Sequence, residues 1–188
     1  MISVGGTGRR SRAQIGLVAL IAVFVVVAAG CDWASVGFDL GNTRDSRHET
    51  VITPTNLPSL KLAWSTNVVW ADNTTPVVAG GVLYEVVGGQ LLAMDAKTGI
   101  LKWKGQTSGG SSATVANGKV YVSATGGTGT IVAFDIDICK AVSLPDACSP
   151  QFHTAGLGVQ APPIVSGKYL YAAGYTTNVG AAVWDANG

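Results

Sequence analysis

Few side chains in this sequence are equipped for covalent or metal chemistry, and their spacing narrows what they can do. Cys31, Cys139 and Cys148 are the only thiols, and His48 and His153 the only imidazoles. Two cysteines with two scattered histidines do not have the paired spacing of a zinc site. Two glycine-rich runs have the composition of a phosphate loop. Gly5-Gly6-Thr7-Gly8 has no strand ahead of it, and Gly126-Gly127-Thr128-Gly129 lies between strand-like runs, where it reads as a hairpin turn. The carboxylate with the clearest local task is Asp95, in Ala93-Met94-Asp95-Ala96-Lys97-Thr98-Gly99. It can accept hydrogen bonds from the N–H groups of the turn ahead, helped by the Thr98 hydroxyl, while Gly99 takes the positive φ of such a turn. Trp103 follows on the restarted strand, placed to lie over a neighbouring layer. Asp95, Thr98, Gly99 and Trp103 are therefore expected to build structure, not to catalyse.

The elements that carry these residues begin with a leader. Arg9, Arg10 and Arg12 precede an uncharged run from Ala13 to Gly30, almost wholly apolar from Ile15 to Ala29. A basic start followed by such a run is an export signal, expected as an apolar helix over residues 1–30. Its 15-residue apolar part would span roughly 22 Å as a helix, short of a ~30 Å hydrocarbon core. The run ends Val27-Ala28-Ala29-Gly30-Cys31, which resembles a bacterial lipobox, so Cys31 is the expected lipidation site. A plain signal peptide and an uncleaved anchor are the alternatives. In an oxidising compartment Cys139 and Cys148 would pair as a local disulfide. Without residues 1–30 the chain keeps nine basic and eleven acidic residues, a formal charge of −2, and no basic stripe, which excludes nucleic acid.

With 47% hydrophobic and 12% charged residues and 25 glycines, the chain favours β structure. Three segments align, each a short apolar strand, a glycine turn and a second strand with a tyrosine: Pro76–Tyr84, Ala113–Tyr121 and Pro163–Tyr171. Each is followed by an apolar strand closing on aspartate, at Asp95, Asp135 and Asp185. Tyr84 to Tyr121 is 37 residues, Asp95 to Asp135 is 40, and Trp64 to Trp103 is 39. A period near 40 with four short strands and a tryptophan marks a β-propeller blade. Strands are expected near 75–79, 82–87, 90–95 and 100–105, then 112–116, 119–125, 130–136 and 138–144, then 162–166, 169–175 and 180–185. Leu60 to Thr66, with Trp64, has the pattern of an outer strand that would complete the last blade of a closed ring. Tyr121 to Tyr171 stretches to 50 residues, and the surplus falls at the Cys139–Cys148 loop. The organisation is thus a leader at 1–30, an extension at 31–59 and a propeller domain at 60–188.

Ala93-Met94-Asp95-Ala96-Lys97-Thr98-Gly99 with Trp103 resembles the A-x-D-x-x-T-G-x-x-x-W docking pattern of the pyrroloquinoline quinone (PQQ)-like repeat family. Asp32-Trp33, Gly37-Phe38-Asp39-Leu40 and Asn42-Thr43-Arg44 resemble the opening of quinoprotein alcohol dehydrogenases, a likeness continued by Glu49, Ile52, Pro54, Asn56-Leu57, Leu60 and Trp64. The second copy has Ile138 and Cys139 in place of Thr and Gly. No adjacent cysteine pair is present, a departure from many such dehydrogenases.

The resemblance implies an all-β fold, a partial propeller of about three four-stranded antiparallel blades, an open arc of a seven- or eight-bladed ring. An open arc exposes two apolar faces, so the expectation is an N-terminal fragment or truncated product, with an oligomeric ring as the alternative. Family enzymes hold PQQ and Ca²⁺ on the axis, which for this chain is expected only in a complete propeller. Residues before each first strand are the axial candidates, Trp70, Asp72, Asn73 and Thr74, then Ser111 and Ser112, then Gln160, with ordinary polar loop residues as the competing reading. Glu85 is expected in a groove or in solvent, and His153 in a loop. Three functions stay open. One is a lipid-anchored, extracytoplasmic propeller presenting a surface to envelope proteins or ligands, in the manner of the outer-membrane assembly lipoprotein, although Asp32 after Cys31 resembles an inner-membrane retention signal. The others are the N-terminal part of a PQQ-dependent alcohol or sugar dehydrogenase, and a fragment without activity.

Overall fold

The structure is a computed structural model describing residues 32–47, 50–67, 74–124, 130–154, 156, 158–159, 161–176 and 179–185. The chain divides into two units, Met1–Gly30 and Cys31–Gly188. The expected signal helix and Cys31 lie outside the described residues. Among the described residues no helix is long and apolar enough to cross a membrane.

The second unit contains three antiparallel sheets in chain order. The first is β1 (Val77–Ala79), β2 (Val82–Val87), β3 (Gln90–Asp95) and β4 (Leu101–Gln106), paired in that order. The second is β5 (Thr114–Ala116), β6 (Lys119–Ala124), β7 (Thr130–Asp135) and β8 (Phe152–His153), and the third is β9 (Ile164–Ser166), β10 (Tyr169–Thr176) and β11 (Val179–Asp185). First strands lie side by side, β1 beside β5 and β5 beside β9, so the sheets fan out from that edge.

Period-two alternation decides what each face buries. On β6 and β7, Val120, Val122, Val132 and Phe134 point to the first sheet, where they meet Tyr84, Val86, Leu91 and Trp103. The intervening Tyr121, Ile131 and Ala133 point the other way, to Val159, Leu170 and Ala172. Successive strand side chains face opposite sides, so the middle sheet presents apolar side chains on both faces and is covered on both. Trp103 is fully buried between Tyr84 and Phe134, with ring centroids at 6.0 and 6.4 Å. Gly105 makes room for this stack, because a Cβ there would stand 2.5 Å from the Phe134 ring.

Two expected strands are absent. Residues 138–144 do not form the outer strand of the second sheet; they belong to a short helix α1 (Ile136–Lys140) and the loop after it, and Phe152–His153 takes the outer place. The cause is local: Asp135 accepts from the N–H groups of Asp137 and Ile138 at 3.0 and 3.1 Å, an N-cap that winds the chain into a helical turn where Thr and Gly are lacking. His153 accordingly sits in β8, opposite Val132, and not in a loop. Leu60–Thr66 is not a strand either, since no described strand lies alongside to supply a ladder. Trp64 docks instead on the first sheet, donating from Nε1 to the Ala96 carbonyl at 3.1 Å.

Cys139 and Cys148 form a disulfide, both side chains buried. It fixes the inserted loop against the first sheet: the Cys148 N–H donates to the Lys104 carbonyl at 2.7 Å, making a parallel bridge to Gly105. The second sheet's loop thus covers the outer edge of β4.

Candidate functional site

The turn at Asp95 is built as its residue types dictate. Asp95 Oδ1 accepts from the backbone N–H groups of Lys97 and Thr98 and from the Thr98 hydroxyl, each at 3.1 Å. Lys102 lies 3.1 Å from the other oxygen. Led by the Lys102 contact, these bonds hold the carboxyl down at about 2. Gly99 has φ +71, and a Cβ on it would stand 2.6 Å from the Trp64 ring. Both carboxylate oxygens are spent on the turn and the strand that follows it.

The axial candidates fall into two sets. Trp70, Asp72, Asn73 and Gln160 lie outside the described residues. Thr74, Ser111 and Ser112 are described, and their hydroxyls are engaged with backbone. Thr74 Oγ1 donates to the Val86 carbonyl at 2.8 Å. Ser111 Oγ donates to the Ser112 carbonyl at 3.1 Å and accepts from the Ser123 N–H at 3.2 Å. Ser112 Oγ accepts from the Thr75 N–H at 2.6 Å, joining the second sheet to the approach to β1. The same device continues between the second and third sheets, where Ser123 Oγ donates to the Ala161 carbonyl at 2.7 Å and Thr114 Oγ1 to the Pro163 carbonyl at 2.5 Å. These hydroxyls form a polar seam beside the apolar layers. The bonds that join sheets reach backbone groups 37 to 49 residues away, a relation no local sequence pattern encodes.

Residues 32–44 are the unexpected part of the site. Trp33 pairs with Val78 on the free edge of β1, N to O at 2.6 Å and O to N at 2.9 Å, and the Ala34 carbonyl accepts from the Val115 N–H at 2.7 Å. Beyond that stitch, Ser35–Asn42 lies over β5 and Pro162–Val165, leaving a cleft of about 450 Å³ lined largely by Val36, Phe38, Leu40, Pro163 and Ile164. Asp39 lies at its edge, but both its oxygens accept from Thr43, backbone N–H at 3.0 Å and hydroxyl at 2.8 Å, which holds its carboxyl below the usual range. Glu85 is half-buried on β2, and burial pushes its carboxyl up. Among the described residues no three His, Cys, Asp or Glu side chains gather as a metal site. The described hydroxyl candidates Thr74, Ser111 and Ser112 are thus committed to backbone groups.

Sheets of three or four short strands that fan from their first strands, with a tryptophan docked at the first aspartate-led bend, define a β-propeller repeat protein. The PQQ_2 family, described as outer membrane protein assembly factor BamB, matches residues 48–142. The chain belongs to this PQQ-repeat propeller family. It is 30% identical over 183 residues to 1-butanol dehydrogenase (cytochrome c) of Thauera butanivorans, a match covering 87% of this chain and 25% of the relative. The fold superposes on quinohemoprotein alcohol dehydrogenase from Comamonas testosteroni with a TM-score of 0.66 and 24% identity, covering 88% of this chain and 27% of that one. BamB from Moraxella catarrhalis gives 0.51 and 18% identity, covering 66% of this chain and 37% of that one. The chain thus spans about a quarter of the length of the curated relative it matches.

Proposed function

We propose that this chain is an exported lipoprotein, anchored through Cys31 on the extracytoplasmic side of a bacterial membrane, whose propeller arc presents a binding surface to an envelope protein. The observation that carries the binding half is the fate of the mouth hydroxyls: Thr74 and Ser111 bond backbone within their own sheets, Ser112 ties the second sheet to the approach to β1, and the adjoining cleft offers apolar side chains. Such a lining suits an apolar peptide segment better than a polar transition state. The lipobox at Val27–Cys31 supports the anchor. A photo-crosslinking residue at Leu40 or Ile164, 64% and 50% exposed beside the cleft, tests the reading in living cells. One discrete adduct, lost when the crosslinker is moved to Ser108, is expected; no adduct at either cleft position refutes it.

A second reading is favoured by the 30% identity to the butanol dehydrogenase, namely that the arc is the N-terminal part of a PQQ-dependent alcohol dehydrogenase. In that case PQQ with Ca²⁺ would raise the melting temperature of the complete propeller of which this chain forms the first part. An unchanged melting curve at saturating quinone and calcium removes it.

A further inference from the structure

One end of the fan gathers the first and third turns of the sheets together with the start of the described chain. In an antiparallel sheet of consecutive strands, the first and third turns share an end. Here hydrogen bonds join them directly: the Ala96 N–H donates to the Gly81 carbonyl, and the Ile136 N–H to the Gly118 carbonyl, each at 3.0 Å. Asn117 Nδ2 donates to the Gly167 carbonyl at 3.0 Å, which brings the third sheet's first turn to the same end. Asp32 belongs there too, its Oδ1 accepting from the Gly80 N–H at 3.0 Å, and the next residue, Trp33, is locked to Val78.

We infer that the end of the propeller bearing the Gly80–Gly81, Lys97–Gly99 and Asn117–Gly118 turns is seated flat on the lipid surface, held there by an anchor with no linker. The inference rests on the lipidation of Cys31 proposed above. A peptide bond keeps consecutive Cα atoms about 3.8 Å apart, so a lipid on Cys31 is carried within one residue of the Asp32–Gly80 contact whatever its own conformation. A flexible linker of twenty residues would let the domain wander by roughly 25 Å; none intervenes here. The surface presented suits a headgroup layer. Ile100 and Ile138, in equivalent turns of the first and second sheets, are 66% and 52% exposed. Lys97 is exposed on the same end, Asp95 and Asp135 turn their carboxylates to backbone N–H groups, and the exposed Asp137 is paired with Lys140 at 3.0 Å. Apolar tips with exposed ammonium groups, and carboxylates that are either turned to backbone or ion-paired with lysine, fit the bilayer interface.

The test uses the full chain, reconstituted from bacterial membranes into vesicles, with one added cysteine carrying an environment-sensitive fluorophore. Lys97→Cys and Ile138→Cys place it on the proposed seat; Gln106→Cys and Ser108→Cys place it at the opposite end, where the Ser108 N–H donates to the Gly89 carbonyl. Quenching by spin-labelled lipid is expected to be several-fold stronger at 97 and 138 than at 106 and 108, with the reverse order for aqueous iodide. A flexible twenty-residue Gly/Ser insert between Cys31 and Asp32 should erase the difference. Equal quenching at both ends in the uninserted chain, or an undiminished difference in the inserted one, overturns the seat. Metabolic palmitate labelling separates the two levels: without label on the wild-type chain the lipoprotein reading fails and takes the seat with it, whereas labelled protein with equal quenching loses the seat alone.

Discussion

Replacing Gly99 with alanine isolates the tryptophan dock from the turn that carries it. Two costs are expected. Alanine in a left-handed conformation, at φ +71, loses about 1–2 kcal/mol, partly offset by about 0.4–1 kcal/mol from a less flexible unfolded chain. In addition, the new methyl would lie 2.6 Å from Trp64 Cε3 and 2.8 Å from Cδ2, so the ring must leave its seat and stretch its bond to Ala96, a further ~1–3 kcal/mol by analogy with overpacking. Gly118→Ala supplies the control, with φ +72 and nothing within 4 Å of the added carbon. Urea titrations followed by circular dichroism should place Gly118→Ala roughly 0.5–1 kcal/mol below wild type and Gly99→Ala about 2–4 kcal/mol below it. In a Trp64→Ala background the Gly99→Ala cost should shrink to that of Gly118→Ala. Equal destabilisation by the two glycine substitutions in the wild-type background would show that Trp64 does not press on this turn, and the docking argument would fall.

Three further outcomes follow from other contacts. Replacing both Cys139 and Cys148 with serine should cost about 2–3 kcal/mol for a loop this short, with faster hydrogen exchange at the amides of position 148 and Gln106, read by mass spectrometry. Ser112→Ala leaves the Thr75 N–H without its 2.6 Å acceptor and should cost about 1–3 kcal/mol, read as a lower urea midpoint with an unchanged slope. The Asp95 carboxyl is depressed to about 2 from 3.8, so its contribution is complete above 3.8 and fades as pH falls toward 2. Asp95→Asn should therefore be less stable than wild type at pH 6 and should approach it near pH 2, measured as paired melting curves.

The sheets were legible because they rest on short-range signals. Val82–Val87 and Gln90–Asp95 have the bounds their alternation and glycine turns imply, and Tyr84 and Tyr121 recur at the same place in two buried layers. The helix at Ile136–Lys140 was missed for a physical reason: Asp135 repeats the capping carboxylate of Asp95, yet without Thr98 and Gly99 to fold the turn back, the same cap starts a helix. The displaced outer strand, Phe152–His153, has only two residues, too few for alternation to register. The inter-sheet bonds of the hydroxyl seam and the cleft under Ser35–Asn42 were illegible because they join segments that only the fold brings near.

The Cys139–Cys148 loop has a mechanical meaning. Strands at the rim of a fan can ordinarily be peeled away one sheet at a time. Here a segment belonging to the second sheet grips the rim of the first and is riveted through a buried sulfur bond to the helix beside it. Stretching the chain from its two ends should accordingly strip the third sheet at low force. The remaining two, held by the shared core and by the backbone bonds between Cys148 and the rim of β4, should then resist to higher force.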